Sequence, residues 1–339
     1  MTVRFLVAGP NWVGDLVIAD TLFKLIKQNH SDATLDLIAP PWARPLCERI
    51  AEVDRIFNSP GGHGRLAPGA RWKLARELRK NHYTQAWVLP RSAKAALLPW
   101  MAGAARRSGY RGEMRYGLLT DIRRRNPDHY ALAKRYAALA FAPGEALPQD
   151  LPRPVLQSSA TQRQAAISRL GIEEVNRAVV LAPGAEYGPA KRWPIDKFAE
   201  LAARLVAEGR PVWVVGGKGE RALGEAIRAR APAARNLAGE TALGEAIDVI
   251  AAASAVVTND SGLMHVAAAV GTPLVAIYGS TSPDYTPPAS ETAKVVYHAL
   301  PCSPCFERVC PLGHTNCLRS IGVEEVSAEL DELPKKNRA

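Results

Sequence analysis

The segment 255–271 places the strongest constraint on the fold. An apolar, β-prone run leads into Thr-Asn-Asp-Ser-Gly, and a short helical pattern follows that ends at Gly271. Ser261 is a good N-cap, and Gly262 lets a ligand approach the backbone. The free N–H groups and the dipole at such a helix start favour an anion. Asp260 beside them could accept hydrogen bonds from sugar hydroxyls, although an ordinary capped helix after a strand has the same pattern.

Strand-like and helix-like segments alternate along the whole chain, with glycine turns between them. Apolar runs typical of strands occupy 3–8, 35–39, 86–89, 178–182, 212–215, 255–258 and 274–278, with a weaker one near 235–237. Helical spacing occupies 15–28, 72–80, 195–208, 219–230, 242–253 and 323–333. This alternation predicts the α/β class, with two Rossmann-like, doubly wound parallel-sheet domains that face a cleft.

A proline-rich and then polar stretch at 149–171 predicts the boundary between the two domains. We expect an N-terminal domain over residues 1–155, a second domain over 156–320, and a C-terminal helix and tail over 321–339. The 339 residues suffice for two domains of ordinary size.

The net charge of +10 is confined to the first half. Residues 1–150 hold 23 Lys and Arg against 13 Asp and Glu, whereas the remaining residues hold 20 of each. Such asymmetry predicts an anionic partner for the first domain, and Arg65, Arg71, Lys94 and Arg111 are candidate contacts. Nucleic acid is disfavoured as that partner, because the chain lacks helix-turn-helix, zinc-finger and RNP-type signatures.

No apolar stretch predicts a signal peptide or a membrane span. Polar residues interrupt the first apolar run, and the weakly apolar stretch 262–279 contains a histidine, an internal glycine and a proline. We therefore expect a cytoplasmic protein.

The first strand ends in Gly9-Pro10-Asn11-Trp12-Val13-Gly14-Asp15. The glycine spacing matches the start of a P-loop, but Asp15 stands where the lysine of that loop belongs, so a nucleoside-triphosphate site is excluded. An acid on a turn at the carboxyl end of a strand is well placed to act as a general base. A first-turn acid that only favours its helix dipole would look the same.

Two further turns are candidates for contact with a pyrophosphate or a nucleotide. Lys191 lies on a proline- and glycine-rich loop after the strand at 178–182, where it could reach a pyrophosphate, although a solvated lysine is the simpler interpretation. Gly217 ends the strand at 212–215 and could border a nucleotide, or form a plain turn.

Four of the five cysteines, Cys302, Cys305, Cys310 and Cys317, fall within sixteen residues, with two histidines nearby. In a cytoplasmic protein this clustering favours a structural zinc over disulfides. The spacing is irregular, so unmetallated thiols or an oxidised pair stay open.

Four uninterrupted blocks, at residues 9–15, 110–117, 183–194 and 258–265, resemble the glycosyltransferase family 9 heptosyltransferases of lipopolysaccharide synthesis. The resemblance covers about residues 3–290 and implies a GT-B fold with an acceptor-binding first domain and a donor-binding second domain. It implies an inverting enzyme that takes heptose from ADP-L-glycero-D-manno-heptose and places it on the first heptose of the inner core.

The resemblance also implies roles for individual residues. Asp15 would be the base and Lys191 would meet the ADP phosphates, while Asp260, Ser261, Gly262 and His265 would line the donor. No metal would be required for catalysis, and the lipid-linked acceptor would place the enzyme at the cytoplasmic face of the inner membrane.

Two alternatives to this activity stay open. A family 9 enzyme that adds the first heptose to Kdo on lipid A would share Asp15, Lys191 and the Asp260 turn. A non-catalytic, polyanion-binding protein with Rossmann domains would explain the charge without them.

Overall fold

The computed structural model describes residues 3–61, 66–173 and 175–336. The chain divides between Pro154 and Val155 into two compact units, which we call the N-unit and the C-unit. Within the described residues, each unit contains one six-stranded sheet in which every pair of neighbouring strands is parallel. This finding confirms the predicted α/β class with doubly wound sheets.

The N-unit sheet has the strand order β3-β2-β1-β4-β5-β6. Its strands are β1 Arg4–Ala8, β2 Thr34–Ala39, β3 Arg55–Asn58, β4 Gln85–Val88, β5 Arg106–Tyr110 and β6 Asp121–Arg123. Its α-helices are α1 Val13–Asn29, α2 Arg44–Cys47, α3 Pro68–Arg79, α4 Ala93–Met101 and α5 Leu132–Ala137.

The C-unit sheet has the order β12-β11-β10-β7-β8-β9. Its strands are β7 Val179–Ala182, β8 Val212–Val214, β9 Arg235–Asn236, β10 Ala255–Asn259, β11 Leu274–Tyr278 and β12 Ala293–Tyr297. Its α-helices are α6 Ala160–Leu170, α7 Ile195–Ala207, α8 Arg221–Arg230, α9 Leu243–Ala252, α10 Gly262–Ala269, α11 Asn316–Arg319 and α12 Val323–Asp331.

Both sheets reverse their strand order beside their first strand. In the N-unit the reversal falls between β1 and β4, and in the C-unit it falls between β7 and β10. Open α/β sheets bind ligands outside the carboxyl ends of the strands at such a switch point. The turn that carries Asp15 follows β1, and the turn that carries Asp260 follows β10, so both candidate turns occupy favoured positions.

The central strands are apolar because helices cover both faces of a parallel sheet. All residues of β7, β10 and β11 are buried. Helix α7 adds Phe198, Leu201 and Leu205, which lie along one face and are fully buried against the C-unit sheet. Among the described helices, none is long and apolar enough to cross a membrane.

The sequence pattern missed the strands β3, β5, β6 and β12 and the helices α2, α4, α5 and α11. Strand β5 reads Arg-Arg-Ser-Gly-Tyr, so it lacks the apolar run that predicts a buried strand. Tertiary packing makes it a strand: a Cβ at Gly109 would lie 2.8 Å from the Val88 carbonyl oxygen and 3.3 Å from the Arg115 guanidinium. The strand therefore depends on a glycine and on a buried arginine that local spacing does not indicate.

Candidate functional site

The strongest candidate site lies at the C-unit switch point, and Asn259 at the end of β10 organises it. The Asn259 side chain accepts a hydrogen bond from the Trp193 backbone N–H at 2.9 Å and donates one to the Pro183 carbonyl at 2.8 Å. Both partners belong to the loop that follows β7 and carries Lys191. Asn259 is fully buried, so it ties this loop rigidly to the end of β10. No sequence motif indicated this role for Asn259.

Lys191 and Asp260 were predicted on separate loops, and the structure brings them together. The Lys191 ammonium donates to Asp260 Oδ2 at 2.6 Å, and the Thr281 hydroxyl donates to the same oxygen at 2.5 Å. The side chains of Lys191 and Asp260 are only 14% and 4% exposed. A largely buried lysine held by one carboxylate is pre-oriented, and it can turn part of its hydrogen-bonding capacity towards an incoming anion.

The start of α10 has the expected position but not the expected cap. Ser261 is the N-cap residue in an extended conformation, yet its side chain makes no capping hydrogen bond. Its hydroxyl instead lies 3.3 Å from the Thr258 hydroxyl. The prediction that Ser261 caps the helix is wrong at the level of the side chain. The first-turn N–H groups and the positive end of the helix dipole, with Gly262 as the first helical residue, suit an anionic ligand.

His265 lies one turn into α10 and is 5% exposed. Burial lowers the pKa of this imidazole to about 4; Asp260 opposes the shift, and Lys191 adds to it. His265 is therefore neutral at physiological pH. A neutral imidazole can donate or accept a hydrogen bond without adding a charge beside the lysine.

Glu220 joins the site from the β8 side, and the sequence analysis missed it. Its carboxylate accepts a hydrogen bond from the Gly217 backbone N–H at 2.8 Å. A Cβ at Gly184 or at Gly216 would overlap that carboxylate, so both glycines are required by its position. The signal was present, because Gly217 and Glu220 have the spacing of a capping box. A carboxylate at the ends of β7 and β8 can accept hydrogen bonds from vicinal hydroxyls.

A cysteine-rich loop, residues 302–317, packs against the loop that carries Lys191. The Arg308 carbonyl accepts from the Ala190 N–H at 3.2 Å, and the Phe306 carbonyl accepts from the Tyr187 hydroxyl at 2.5 Å. A Cβ at Gly188 would overlap the Arg308 backbone. The cysteine-rich loop thus packs against the loop that carries Lys191, and Gly188 is required for the close approach of the two loops.

The four clustered cysteines surround one small space. Cys302, Cys305, Cys310 and Cys317 are free thiols that line a cavity of about 20 Å³, together with His314. Within the described ranges, no three His, Cys, Asp or Glu side chains are arranged to hold a metal ion. The four thiols therefore share a cavity without forming a ready-made coordination shell, and the predicted zinc stays a prediction.

Asp15 occupies the matching position in the N-unit. It is half-buried in the first turn of α1, directly after the carboxyl end of β1. A Cβ at Gly9 would lie 3.0 Å from Leu37 and 3.1 Å from the Ile38 carbonyl oxygen, so the turn before Asp15 runs close against β2. Its role as a base stays a prediction.

The predicted acceptor contacts have different environments. Arg65 lies outside the described residues. Arg71 is 6% exposed, and its guanidinium donates to the carbonyls of Leu66, Pro60 and Lys94 at 2.5, 3.3 and 3.3 Å. Burial lowers the pKa of Arg71. Its donors are thus directed to backbone carbonyls. Lys94 itself is half-buried.

Arg111 is exposed, unlike Arg71. The Tyr110–Arg115 region beside it is fixed by a buried cation, because the Arg115 guanidinium donates to the carbonyls of Pro90 and Ser92 at 2.6 and 3.4 Å and to that of Tyr110. Among the predicted acceptor contacts that the structure describes, Arg111 is the one that presents its side chain most openly to solvent.

The chain has two doubly wound sheets, with an acid on the first glycine turn. A lysine lies beside the helix start at the second switch point. This combination is that of a glycosyltransferase of GT-B architecture. The chain belongs to glycosyltransferase family 9 (heptosyltransferase), whose family model matches residues 71–316.

Known relatives agree with this assignment. Lipopolysaccharide heptosyltransferase 2 of Salmonella typhimurium is 45% identical over 305 residues, which cover 87% of this chain and 88% of the relative. The protein of the same name from Escherichia coli is 42% identical over 347 residues, 98% of either chain.

Solved structures agree as well. The structure of E. coli ADP-heptose LPS heptosyltransferase II has a TM-score of 0.87 at 39% identity and covers 97% of this chain and 98% of its own. E. coli heptosyltransferase WaaC with ADP has a TM-score of 0.74 at 17% identity, covers 98% of this chain and 99% of its own, and shows the shared fold.

Proposed function

We propose that this chain transfers L-glycero-D-manno-heptose from ADP-heptose to the first heptose of the lipopolysaccharide inner core, with inversion at the anomeric carbon. The observation that carries the proposal is the buried Lys191–Asp260–Thr281 cluster beside the start of α10. Relatives at 42–45% identity are named lipopolysaccharide heptosyltransferase 2, and the related solved structure at 39% identity names ADP-heptose.

The C-unit is the donor-binding unit in this proposal. The diphosphate sits at the start of α10, where the backbone N–H groups of the Ser261–Gly262 turn and the Lys191 ammonium neutralise the charge that develops as ADP leaves. Asp260 keeps the lysine aimed in the absence of donor. Gly217 and Glu220 border the nucleoside part of the donor, and neutral His265 lies buried beneath the Lys191–Asp260 pair.

The N-unit is the acceptor-binding unit in this proposal. The Asp15 carboxylate takes the proton from the acceptor hydroxyl as that oxygen attacks the anomeric carbon. ADP departs with the electron pair of the broken C–O bond. Arg65, Lys94 and Arg111 attract the phosphates and carboxylates of the inner core, and Arg71 donates to the carbonyls of Pro60, Leu66 and Lys94.

No metal takes part in these steps, because backbone N–H groups and Lys191 supply the positive charge. We further propose that the four-cysteine loop takes up a structural zinc when the thiols draw together around their shared cavity. Metal analysis of purified protein tests this directly: about one zinc per chain is expected, and metal-free protein with four titratable thiols would contradict it.

The transfer reaction is tested by supplying ADP-heptose together with three purified acceptors and weighing the products by mass spectrometry. The acceptors carry no heptose, one heptose or two heptoses on Kdo and lipid A. We expect one heptose to be added to the acceptor with one heptose only. Transfer to the heptose-free acceptor would instead identify an enzyme that adds the first heptose, and binding without any transfer would identify a polyanion-binding protein.

A further inference from the structure

Helix α3 exposes a face that the proposed reaction does not use. Its inner face consists of Arg71, Ala75 and Leu78, which are buried. Trp72 and Arg76 each follow an inner-face residue by one position and face solvent, and Trp72 is 60% exposed. A tryptophan exposed to this degree on a helix surface is unusual, because it leaves a large apolar ring in water.

Exposed cations follow Trp72 along α3. They are Lys73, Arg76 and Arg79, with Lys80 at the C-cap of the helix. In the part of the chain that the structure describes, none of these four forms a salt bridge, whereas basic residues of the exposed C-unit helices do. From residue 66 to residue 112 the sequence holds ten Lys and Arg and a single acid, Glu77. Basic residues therefore outnumber acidic ones by nine over this stretch.

Helix α4 extends the same surface. It shares a core cluster with α3 through Ala75, Leu78 and Leu98, and its last turn presents Trp100, which is 49% exposed. The Arg79 Nε lies 3.8 Å from the position that a Cβ of residue 103 would occupy, so the end of α3 borders the end of α4. Leu66, 59% exposed, adds an apolar side chain just before α3. We call this surface the α3–α4 face.

We propose that the α3–α4 face docks the enzyme on an anionic lipid bilayer, with Trp72 and Trp100 inserted at the level of the headgroups. This inference rests on the proposed function, because the acceptor there is lipid-linked. Tryptophan side chains favour the membrane interface, and basic side chains around them bind anionic headgroups. A convex helix face with separate aromatic residues and unpaired cations suits a fluid, charged surface better than a protein groove.

One end of the α3–α4 face lies at the same edge of the sheet as Asp15. Helices of a parallel α/β sheet run opposite to the strands, so the start of α3 lies at the carboxyl edge of the N-unit sheet. Asp15 lies at that same edge after β1. Trp72 in the second turn of α3 lies nearer that edge, whereas Trp100 in the last turn of α4 lies nearer the opposite edge, so docking through both tryptophans would lay the two helices along the bilayer.

Sedimentation of the full-length protein with vesicles tests this proposal. We expect binding to phosphatidylcholine vesicles that contain 30% phosphatidylglycerol, and at least tenfold weaker binding to pure phosphatidylcholine. Each basic residue near an anionic surface strengthens binding about fivefold, so Lys73→Glu with Arg76→Glu should weaken it more than tenfold. Trp72→Ala should weaken it several-fold.

Matched variants control for charge and for aromatic surface. Arg228→Glu with Arg230→Glu makes the same charge change on α8, and Trp42→Ala removes a tryptophan that is 48% exposed outside the α3–α4 face. Both controls should bind vesicles within twofold of wild type. ADP affinity and the melting temperature identify any variant that fails to fold, and Lys73→Gln with Arg76→Gln is then the milder replacement.

The failure of this inference is distinguishable from the failure of the proposed function, because vesicle binding needs no catalysis. Equal binding of wild type and the α3 variants, or equal binding to both kinds of vesicle, would overturn the docking surface. Binding of RNA or of a protein partner through this face, without vesicle binding, would overturn it as well. With a lipid-free acceptor the α3 variants should keep wild-type turnover, and with a vesicle-embedded acceptor their apparent KM should rise about tenfold.

Discussion

The two units treat positive charge in opposite ways. In the C-unit, Lys191 is 14% exposed and held at 2.6 Å from a buried carboxylate, inside a loop that Asn259 fixes from below. In the N-unit, the cations of α3 face solvent, and the buried guanidiniums of Arg71 and Arg115 bond to backbone carbonyls. The C-unit holds its buried cation in a single oriented contact, whereas the N-unit exposes its cations over a surface.

This difference matches the two proposed substrates. A nucleotide-sugar has a small diphosphate with fixed geometry, so it is best bound by groups that are already in place and shielded from water. A lipid-linked acceptor is large, multiply charged and confined to a membrane, so a broad field that acts before contact is more useful. Mutations in the C-unit should therefore change the geometry of donor binding. Mutations in the N-unit should either remove the proposed base or weaken the electrostatic attraction of the acceptor.

The largest expected effect comes from Asp15→Asn. A positioned base typically contributes ~10²–10⁴ in rate, and the amide cannot take the acceptor proton. Turnover of heptose transfer, measured by product formation at saturating substrates, should fall by that factor. Asp32→Asn, the same change at an exposed position of the N-unit, serves as the control. Turnover above a third of the wild-type value in Asp15→Asn would exclude Asp15 as the base.

The next effect concerns His265 and the pH dependence of stability. Its pKa is about 4 in the folded chain and about 6.5 when unfolded, so the unfolded state binds the proton more readily between those values. Stability from this group is complete above pH 6.5 and is lost as the pH falls towards 4. The loss is on the order of 3 kcal/mol.

Urea unfolding of wild type and His265→Gln at pH 7 and pH 4 measures this term. The variant should lose less stability on acidification, because glutamine does not titrate. An identical pH dependence in the two proteins would show that His265 is not a buried neutral imidazole.

A smaller effect, on ADP affinity, is expected for Lys191→Ala. The contact with Asp260 suggests a second variant that should partly reverse it. Loss of the ammonium removes a charged hydrogen bond worth roughly 1.5–3 kcal/mol, so ADP should bind about ten- to a hundredfold more weakly. The substitution also leaves Asp260 as a buried carboxylate with Thr281 as its remaining described partner at Oδ2. Lys191→Ala with Asp260→Asn should therefore recover part of the lost affinity.

Titration calorimetry with ADP resolves this pair. Equal affinity in the single and double variants would show that Asp260 does not oppose the diphosphate when the lysine is gone. Thr281→Val is the matched probe of the third member, and it should weaken ADP binding by only a few-fold.

The smallest effect is that of salt, and it separates the two units directly. Exposed charges are screened beyond roughly 8 Å at physiological ionic strength, whereas the buried Lys191–Asp260 pair is screened much less. Raising the salt should increase the apparent KM for the lipid-linked acceptor several-fold more than that for ADP-heptose. Steady-state kinetics at two ionic strengths checks this, and equal sensitivity of the two KM values would mean that the N-unit charge does not serve the acceptor.

Local patterns in the sequence predicted much of this architecture. The β10–α10 turn and the β1–α1 turn were found because each combines an apolar strand, small residues and a helix within about fifteen positions. Strand β11 was predicted at its observed bounds for the same reason. Such elements depend on neighbours in the chain, so spacing is enough to find them.

The contacts that organise the site were missed because they join distant parts of the chain. Lys191 and Asp260 are 69 residues apart, and Asn259 bonds to a loop 66 residues away. Thr281 belongs to no recognisable motif, and only the fold brings its hydroxyl to Asp260. Ser261 shows that a local contact can also be missed: the residue type suited a helix cap, but its hydroxyl lies beside that of Thr258, three residues earlier in the same turn.

The division of labour between the units is tested most directly by measuring ADP affinity and heptose transfer in Asp15→Asn and Lys191→Ala side by side. We expect Asp15→Asn to bind ADP with wild-type affinity and yet to lose at least a hundredfold in turnover. Lys191→Ala should lose affinity and transfer together. Weakened ADP binding in Asp15→Asn, or unchanged ADP binding in Lys191→Ala, would contradict the assignment of donor and acceptor to the two units.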